Sequence, residues 1–144
     1  MRVEARARLP AAPEQAWKFL LMWERQPEWM VDAASVRIIG HWREGVGTRV
    51  AVKTRILGIP AFTETLEVTV WEPPTRLVMA HGGMLRGMGE WRLEGTESDD
   101  TLFRWIENVR LSVPILGEAA LRVYRPIMRR LMRRSLENLS RSLS

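Results

Sequence analysis

The sequence predicts an α+β domain in which one long C-terminal helix covers a curved antiparallel sheet. In seven segments apolar and polar residues alternate with a period of two, as they do in half-buried strands. A helical period appears in only two places, a short segment behind the first strand and the segment after Pro114. No repeat or linker-like stretch interrupts the chain, so residues 1–144 are expected to form a single domain.

The N-terminal part of the chain predicts one strand followed by two short helical segments. Residues 2–9 alternate between apolar and charged side chains, which is typical of a strand. Pro13 suits the first turn of a helix, and the apolar spacing after it extends that helix over about 13–23. Pro27 then begins a second, shorter turn over 28–30.

Three strands are predicted next, in the segments SVRIIGHW (35–42), TRVAVKTRI (48–56) and FTETLEVTVW (62–71). The turn EGVG joins the first two, because glycine accepts backbone conformations that other residues avoid. A period of two places five side chains of the third segment on one face: Phe62, Glu64, Leu66, Val68 and Val70.

Three more strands complete the predicted sheet. Pro73 and Pro74 cannot donate to a strand ladder and therefore mark a break. Strands follow at 76–81, 84–95 and 101–111, and turns rich in Gly, Ser and Asp join them. One face of the second of these carries Leu85, Gly87, Gly89, Trp91 and Leu93, and one face of the third carries Phe103, Trp105, Glu107 and Val109.

After Pro114 the helical period continues to the end of the chain. Pro126 lacks the N–H that would bond the carbonyl of Arg122, so we expect a kink or a restart there. The apolar side chains form one broad stripe that must be buried, so the helix is expected to lie against a sheet curved enough to wrap it. The stripe contains Leu121, Tyr124, Met128, Leu131, Met132, Ser135 and Leu139.

Composition excludes several kinds of site. The chain has no cysteine, which removes disulfides, thiolate nucleophiles and cysteine-bound zinc. His41 and His81 are its only histidines, so a protein-built transition-metal site is not expected. The sequence also lacks a phosphate-binding glycine loop and a nucleophile-elbow serine. We therefore expect no metal, nucleotide or other cofactor.

The balance of residues is that of a globular protein, with 46% hydrophobic and 27% charged residues. No apolar run is long enough to span a bilayer and the N-terminus lacks the core of a signal peptide, so we expect a soluble, cytoplasmic protein. Seven tryptophans indicate a fold that accommodates bulky rings. We expect core or sheet–helix packing for Trp17, Trp29, Trp42 and Trp71.

The net charge of +5 resides entirely in residues 115–144, because the acidic and basic residues before them balance. We favour a solvated helix face as its explanation. Contact with an anionic membrane surface is a second interpretation, and an acidic partner is a third. Nucleic acid is not expected as a partner, because the only aromatic residue of the helix, Tyr124, lies on its apolar stripe.

The order of elements and several local phrases together resemble the START-like superfamily, also called the helix-grip or birch-pollen-allergen-like fold, and in particular its polyketide cyclase/dehydrase branch. The phrases are APEQAW followed by PEW, the turn EGVGTRV, WEPPTRLV, and VPILG before the last helix; they span residues 9–139. The resemblance implies a seven-stranded antiparallel sheet gripping the C-terminal helix, with a cavity for apolar molecules between them. Catalytic residues are not shared across this superfamily, so the resemblance assigns none.

The resemblance turns the aromatic strand faces toward this cavity. Gly87 and Gly89 would then leave unfilled volume beneath the helix, although such glycines also mark a bulge or a tight bend. Trp29 matches the family's tryptophan after the short helices, and Tyr124 would offer a hydroxyl unless it simply packs in the core. The expected ligand contacts are Trp29, Phe62, Glu64, Leu66, Met79, His81, Arg86, Gly87, Gly89, Trp91, Phe103, Trp105, Glu107, Tyr124 and Met128.

Glu107 and His81 are the candidate catalytic residues. A carboxyl group among apolar walls has a raised pKa and can act as an acid or base, unless a partner such as Arg86 keeps it ionised. Glu64 would face the same wall from its own strand. His81 ends a strand before a glycine turn, where it would be either a proton shuttle or a surface residue.

The sequence favours binding of a hydrophobic small molecule or lipid, with transport or sequestration as its purpose and no chemistry. The first alternative is a cyclase or dehydratase without metal or nucleotide, using Glu107 or His81. The second is a protein- or membrane-interaction module that uses the basic helix. The sequence does not indicate an oligomeric state.

Overall fold

The computed structural model describes residues 1–112 and 116–144; residues 113–115, which include Pro114 of the VPILG phrase, lie outside the described residues. It contains seven strands, two α-helices and one 3₁₀ helix. In chain order these are β1 (Arg2–Leu9), α1 (Pro13–Leu20), the 3₁₀ helix (Trp23–Glu28), β2 (Ala33–Ile39), β3 (Arg49–Ile56), β4 (Ile59–Glu72), β5 (Arg76–Gly82), β6 (Leu85–Gly95), β7 (Thr101–Leu111) and α2 (Leu116–Leu143).

The seven strands form one antiparallel sheet in the order β1-β7-β6-β5-β4-β3-β2. From β2 to β7 each strand pairs with the next strand in the chain. β1 pairs with β7 and forms one edge of the sheet. α2 lies against β1 and β7, while the 3₁₀ helix lies against β2. This is the helix-grip arrangement of sheet and terminal helix that the sequence predicts.

The C-terminal half of α2 is held to the rest of the molecule by burial and by hydrogen bonds. Met132 and Leu139 are almost fully buried in the core, which fits the apolar stripe predicted for this helix, and Leu136, which was not assigned to the stripe, is buried with them. The Ser135 hydroxyl accepts a hydrogen bond from the Val31 amide at 3.0 Å and donates one to the Leu131 carbonyl at 2.8 Å. The Asn138 side chain donates to the Trp29 carbonyl at 3.2 Å. These contacts attach α2 to the segment between the 3₁₀ helix and β2.

Aromatic rings fill much of the core on the concave face of the sheet. The ring centre of Trp29 lies 6.0 Å from that of Trp91 and 6.1 Å from that of Trp105. Phe103 lies 6.1 Å from Trp91 and is fully buried. Such tilted and edge-on pairs are the favoured geometry of aromatic rings. This cluster occupies the end of the core next to the 3₁₀ helix.

Three local expectations differ from the structure. The strand expected over 35–42 ends at Ile39, because Gly40 takes a φ of 86° and turns the chain. Trp42 therefore lies outside the strand and is 68% exposed, which corrects its expected place in the core. α2 continues past Pro126 without the restart considered for that position.

None of the helices in the described parts of the chain combines the length and the apolar composition needed to cross a bilayer.

Candidate functional site

A cavity of about 90 Å³ lies between the concave face of the sheet and α2. We call it the central cavity. Its walls come from six strands, from the 3₁₀ helix and the segment that follows it, and from α2. They consist of Gln26, Met30, Asp32, Ala33, Val50, Val52, Thr54, Glu64, Leu66, Leu77, Met79, His81, Leu85, Gly89, Trp91, Trp105, Glu107, Met128 and Met132.

His81 lies between two glutamates on the wall of the central cavity. Its Nε2 is 2.9 Å from Oε2 of Glu107, and its Nδ1 is 3.4 Å from Oε2 of Glu64. The indole N–H of Trp105 donates to the other oxygen of Glu107 at 2.9 Å. At most 9% of any of the three side chains in the Glu64–His81–Glu107 cluster is exposed. The imidazole thus bridges two buried carboxylates.

Strand pairing explains how residues far apart in the chain meet in this cluster. His81 pairs with Leu66 across β4 and β5, which puts its side chain close to Glu64, two residues before Leu66. Across β6, Gly89 pairs with Met79 on one side and with Glu107 on the other. Because Gly89 has no side chain, the imidazole on β5 can reach the carboxylate on β7.

The two glutamates hold a proton on His81. Burial by itself lowers the pKa of the imidazole, but the hydrogen bond to Glu107, the closeness of Glu64 and the charges of both outweigh it and raise the pKa to about 10. At neutral pH His81 is therefore an imidazolium whose two N–H groups already face carboxylate oxygens. A group in this state does not exchange protons readily near pH 7.

Asp32 lines the cavity as well, and the pKa of its carboxyl group is raised toward neutral pH. Burial raises the pKa of its carboxyl group to about 6, and the negative charges of Glu107 and Glu64 act in the same direction. Asp32 was not expected in the site, because it lies in the irregular segment before β2 where no periodic pattern indicates a face. An acidic residue between the PEW phrase and the next strand is the one signal that pointed to it.

The two glycines of β6 have different roles. A Cβ at Gly89 would lie 2.9 and 3.0 Å from the two carboxylate oxygens of Glu107, so this glycine makes room for that carboxylate. Gly87 has a φ of 131°, and a Cβ there would lie 2.1 Å from the Asn108 carbonyl oxygen. Gly87 is therefore required by the close approach of β6 to β7, as expected of a tight bend, whereas Gly89 opens space toward the cavity.

Nine of the fifteen expected ligand contacts line the central cavity. Three of them, Glu64, His81 and Glu107, are polar; Gly89 has no side chain, and the other five are apolar. The nine are Glu64, Leu66, Met79, His81, Gly89, Trp91, Trp105, Glu107 and Met128. Their contact with a ligand stays a prediction, and so does that of the other six.

The other six expected contacts lie outside the lining. Trp29 and Phe103 pack behind Trp91 as a second layer, and Gly87 lies against the β7 backbone. Arg86 is exposed and donates to the Ser112 hydroxyl at 3.3 Å, so the partner of Glu107 is His81 and not Arg86. Phe62 and Tyr124 are half-buried.

The lining also contains residues that were not expected as ligand contacts. Met30 and Met132 join Met79 and Met128, which gives the cavity four methionines on elements that meet only in the folded chain. Within the residues that the structure describes, no group of three or more His, Asp or Glu side chains is arranged to hold a metal ion.

Comparison with known proteins agrees with the fold. The family model described as "Polyketide cyclase / dehydrase and lipid transport" matches residues 1–144. A solved structure from Thermus thermophilus shares 20% sequence identity, with a TM-score of 0.81 over 99% of this chain and 97% of that one. A START superfamily protein from Mycobacterium smegmatis shares 16% identity, with a TM-score of 0.72 over 99% of this chain and 93% of that one.

A third solved structure, the Aha1 dimer from Colwellia psychrerythraea, shares 17% identity with a TM-score of 0.69 over 99% of this chain and 96% of that one. No protein with a curated description matches the chain in sequence. At these identities the solved structures show the fold alone, whereas the family model covers the whole sequence. The chain therefore belongs to the polyketide cyclase / dehydrase and lipid transport family of START-like, helix-grip proteins.

Proposed function

We propose that this protein binds a small, largely apolar molecule in the central cavity. The observation that carries the proposal is the composition of the lining, in which apolar side chains surround one polar wall formed by Asp32, Glu64, His81 and Glu107. Ligand sites typically have this make-up, with apolar walls for affinity and a few polar groups for orientation. A site of this kind that catalyses no reaction would serve to transport or sequester its ligand.

The volume of the cavity requires movement when a larger ligand binds. At about 90 Å³ it is smaller than the roughly 300–1,000 Å³ of sites for drug-sized molecules. Methionine side chains rotate easily and adapt to irregular shapes, and four of them line this cavity. Rotation of Met128 and Met132 on α2 would enlarge the space without changing the sheet.

Extraction of the freshly purified protein with organic solvent, followed by mass spectrometry, tests the proposal. A variant Leu66→Trp should carry little or no ligand, because the indole fills the cavity, while Leu102→Trp, on the exposed side of β7, should carry as much as the wild type. Displacement of the fluorescent apolar probe N-phenyl-1-naphthylamine provides a second measurement. If no compound is extracted and Leu66→Trp binds the probe as well as the wild type, the proposal is wrong.

Acid–base catalysis is the second candidate function, and the pKa of Asp32 favours it. A carboxyl group that titrates near 6 within an apolar cavity is suited to removing a proton from carbon, as a cyclase or dehydratase requires. His81 is less suited, because its proton is held by Glu64 and Glu107. Asp32 therefore joins Glu107 and His81 as a candidate residue for an enzymatic function.

Proton abstraction from 5-nitrobenzisoxazole tests this second candidate. A carboxylate base removes the ring C–H proton as the N–O bond breaks, and the nitrophenolate product is followed by absorbance. We expect a rate that rises with pH through about 6 and is lost in Asp32→Asn but not in Asp99→Asn, an exposed control. Equal rates in wild type and Asp32→Asn would contradict it.

Contact with an anionic membrane surface is the remaining candidate, and the basic face of α2 favours it. Among the ion pairs of the described residues none includes an arginine of α2, and Val123 beside them is 74% exposed. We expect salt-sensitive binding to vesicles that contain phosphatidylglycerol. Neutralising Arg129, Arg130, Arg133 and Arg134 should abolish it. Neutralising four arginines elsewhere should not; the control set is Arg25, Arg37, Arg43 and Arg49.

A further inference from the structure

One oxygen of the buried Glu64 carboxylate has no hydrogen-bond partner. Glu64 is only 4% exposed and its side chain lines the central cavity. Its Oε2 faces His81 at 3.4 Å, but its Oε1 is buried and accepts no hydrogen bond. A buried carboxylate oxygen without a protein donor costs folding free energy. A molecule in the cavity that carries a donor would recover this interaction.

The polar wall of the cavity also has an excess of negative charge. The wall holds three acidic side chains and a single imidazolium, so acidic groups outnumber the one cation. The effect extends to α2. Burial is the largest cause that raises the pKa of the Tyr124 hydroxyl, and the charges of Asp32 and Glu64 raise it further. His81 cannot neutralise the wall, because one imidazolium faces two carboxylates. A positively charged occupant would be stabilised by this field.

We propose that the central cavity selects a molecule with a protonated amine at one end and an apolar body at the other, the amine donating to Oε1 of Glu64. This inference rests on the proposed function and adds the chemical class of the ligand. The amine N–H would supply the donor that Oε1 lacks, and its charge would offset part of the negative wall. The apolar body would lie against Leu66, Met79 and the methionines of α2.

Other head groups fit the wall less well. A carboxylate would add negative charge beside three acidic groups. It could accept only from Nδ1 of His81, which makes no hydrogen bond but already lies 3.4 Å from Oε2 of Glu64. A hydroxyl group could donate to Oε1 of Glu64 but would leave the net charge unchanged. The order of affinity expected from the structure is therefore amine, then alcohol, then carboxylate.

Hexylamine, 1-hexanol and hexanoate test this order, because they share one apolar chain and differ in the head group. Trp91 and Trp105 line the cavity, so quenching or shift of tryptophan fluorescence reports binding of each compound, and calorimetry gives the affinity. At neutral pH hexylamine is protonated, since alkyl ammonium groups titrate near 10.4. We expect the affinity of hexylamine to exceed that of 1-hexanol by about tenfold or more, because its hydrogen bond to Glu64 is charge-assisted.

The variant Glu64→Gln should remove this preference. It replaces the charged acceptor with a neutral amide of the same size, so hexylamine should lose about tenfold in affinity while 1-hexanol binds as before. Retained binding of 1-hexanol shows that the variant is folded. Glu67→Gln, the same change on the exposed side of β4, is the matched control and should bind both compounds like the wild type. If Glu64→Gln does not fold, Asp32→Asn removes a second carboxylate of the wall and should also weaken hexylamine selectively.

The outcomes separate this inference from the proposed function. If 1-hexanol binds as tightly as hexylamine, or if Glu64→Gln leaves their ratio unchanged, the cavity binds apolar molecules without selecting an amine and the inference is wrong. If no compound of the series binds while N-phenyl-1-naphthylamine still binds and Leu66→Trp blocks it, the inference is wrong and the proposed function stands.

Discussion

Gly89 and Glu107 are paired across β6 and β7, and the space that the glycine leaves empty is occupied by the glutamate carboxylate. That carboxylate accepts hydrogen bonds from His81 and from Trp105, each at 2.9 Å. One missing side chain therefore allows β5 and β7 to be linked by a buried ion pair that crosses the strand between them.

The substitution Gly89→Ala should disrupt this link. A Cβ within about 3 Å of both carboxylate oxygens would push the Glu107 side chain away from His81 and Trp105. We expect a loss of about 1–3 kcal/mol in the free energy of unfolding, the usual effect of leaving buried polar groups unpaired. Urea denaturation measures it. Gly82→Ala on β5 is the control, because its Cβ would make only an ordinary contact, 3.5 Å from the Thr65 carbonyl oxygen; equal losses in the two variants would contradict the explanation.

Because His81 is protonated in the folded protein, the free energy of unfolding should fall as the pH rises into the alkaline range. Its pKa is raised from an ordinary 6.5 to about 10 when the protein is folded, so the folded state binds more protons than the unfolded state between these values. The stabilisation is present in full below pH 6.5 and is lost as the pH rises toward 10. The difference in unfolding free energy between wild type and His81→Gln should shrink over this interval.

Proton NMR checks the same titration directly. The His81 ring resonances should titrate close to pH 10, and the loss of one set of signals in His41→Gln assigns the two histidines. A His81 titration at or below 6.5 would show that the two glutamates do not hold its proton.

Ionisation of Asp32 should lower the free energy of unfolding, whereas ionisation of a carboxyl group that is paired with a cation raises it. Its pKa rises from 3.8 to about 6 on folding, so the folded state binds more protons than the unfolded state in that interval, and stability falls as the pH rises through it. Asp32→Asn removes a half-buried charge and its repulsion from Glu64 and Glu107. We expect the variant to be more stable than the wild type by about 1–3 kcal/mol at pH 7, with the difference vanishing below pH 3.8.

The exposed Asp99→Asn provides the matched control for this change. It removes one negative charge from a position away from the cavity and should alter stability by less than about 0.5 kcal/mol. Thermal denaturation at pH 4 and pH 7 compares the three proteins. A stability gain in Asp32→Asn that is the same at both pH values would show that packing, and not the charge, is responsible.

Much of this architecture could be predicted from strand periodicity. The alternation in β7 put Phe103, Trp105 and Glu107 on one face, since a period of two fixes which residues share a face, and the family resemblance turned that face inward; all three are buried. The stripe on α2 likewise indicated that Met132 and Leu139 are buried. Where the chain leaves a regular element, as at Gly40, the same reasoning failed and Trp42 was misplaced.

The meeting of Glu64, His81 and Glu107 could not be predicted in the same way. Periodicity fixes the face of each residue, but the distance between residues on different strands depends on the pairing register of β4 to β7. From the sequence, Arg86 was a possible partner of Glu107; the pairing register places His81 beside Glu107 instead. Asp32 has no periodic neighbours, so its place in the cavity follows only from the contacts of α2 with the segment that contains it.

Ser135 carries the last prediction, because it joins α2 to that segment. Its hydroxyl accepts the Val31 amide hydrogen at 3.0 Å and is 1% exposed, and Val31 directly precedes Asp32. In Ser135→Ala the Val31 amide would lose its acceptor at a part-buried position. We expect the unfolding free energy to fall by about 1–2 kcal/mol, while Ser142→Ala, on the exposed side of the same helix, stays within about 0.5 kcal/mol of the wild type.

Hydrogen exchange distinguishes a local effect of Ser135→Ala from a general one. The amide hydrogens of residues 30–32 should exchange faster in the variant, whereas those of β6 and β7 should change only by the overall loss in stability. Because Met30 and Asp32 line the cavity, loosening this segment should also speed the release of 1-hexanol. Unchanged exchange at Val31 would mean that α2 does not hold this wall through Ser135, and the wall would then depend on Asn138 and on packing alone.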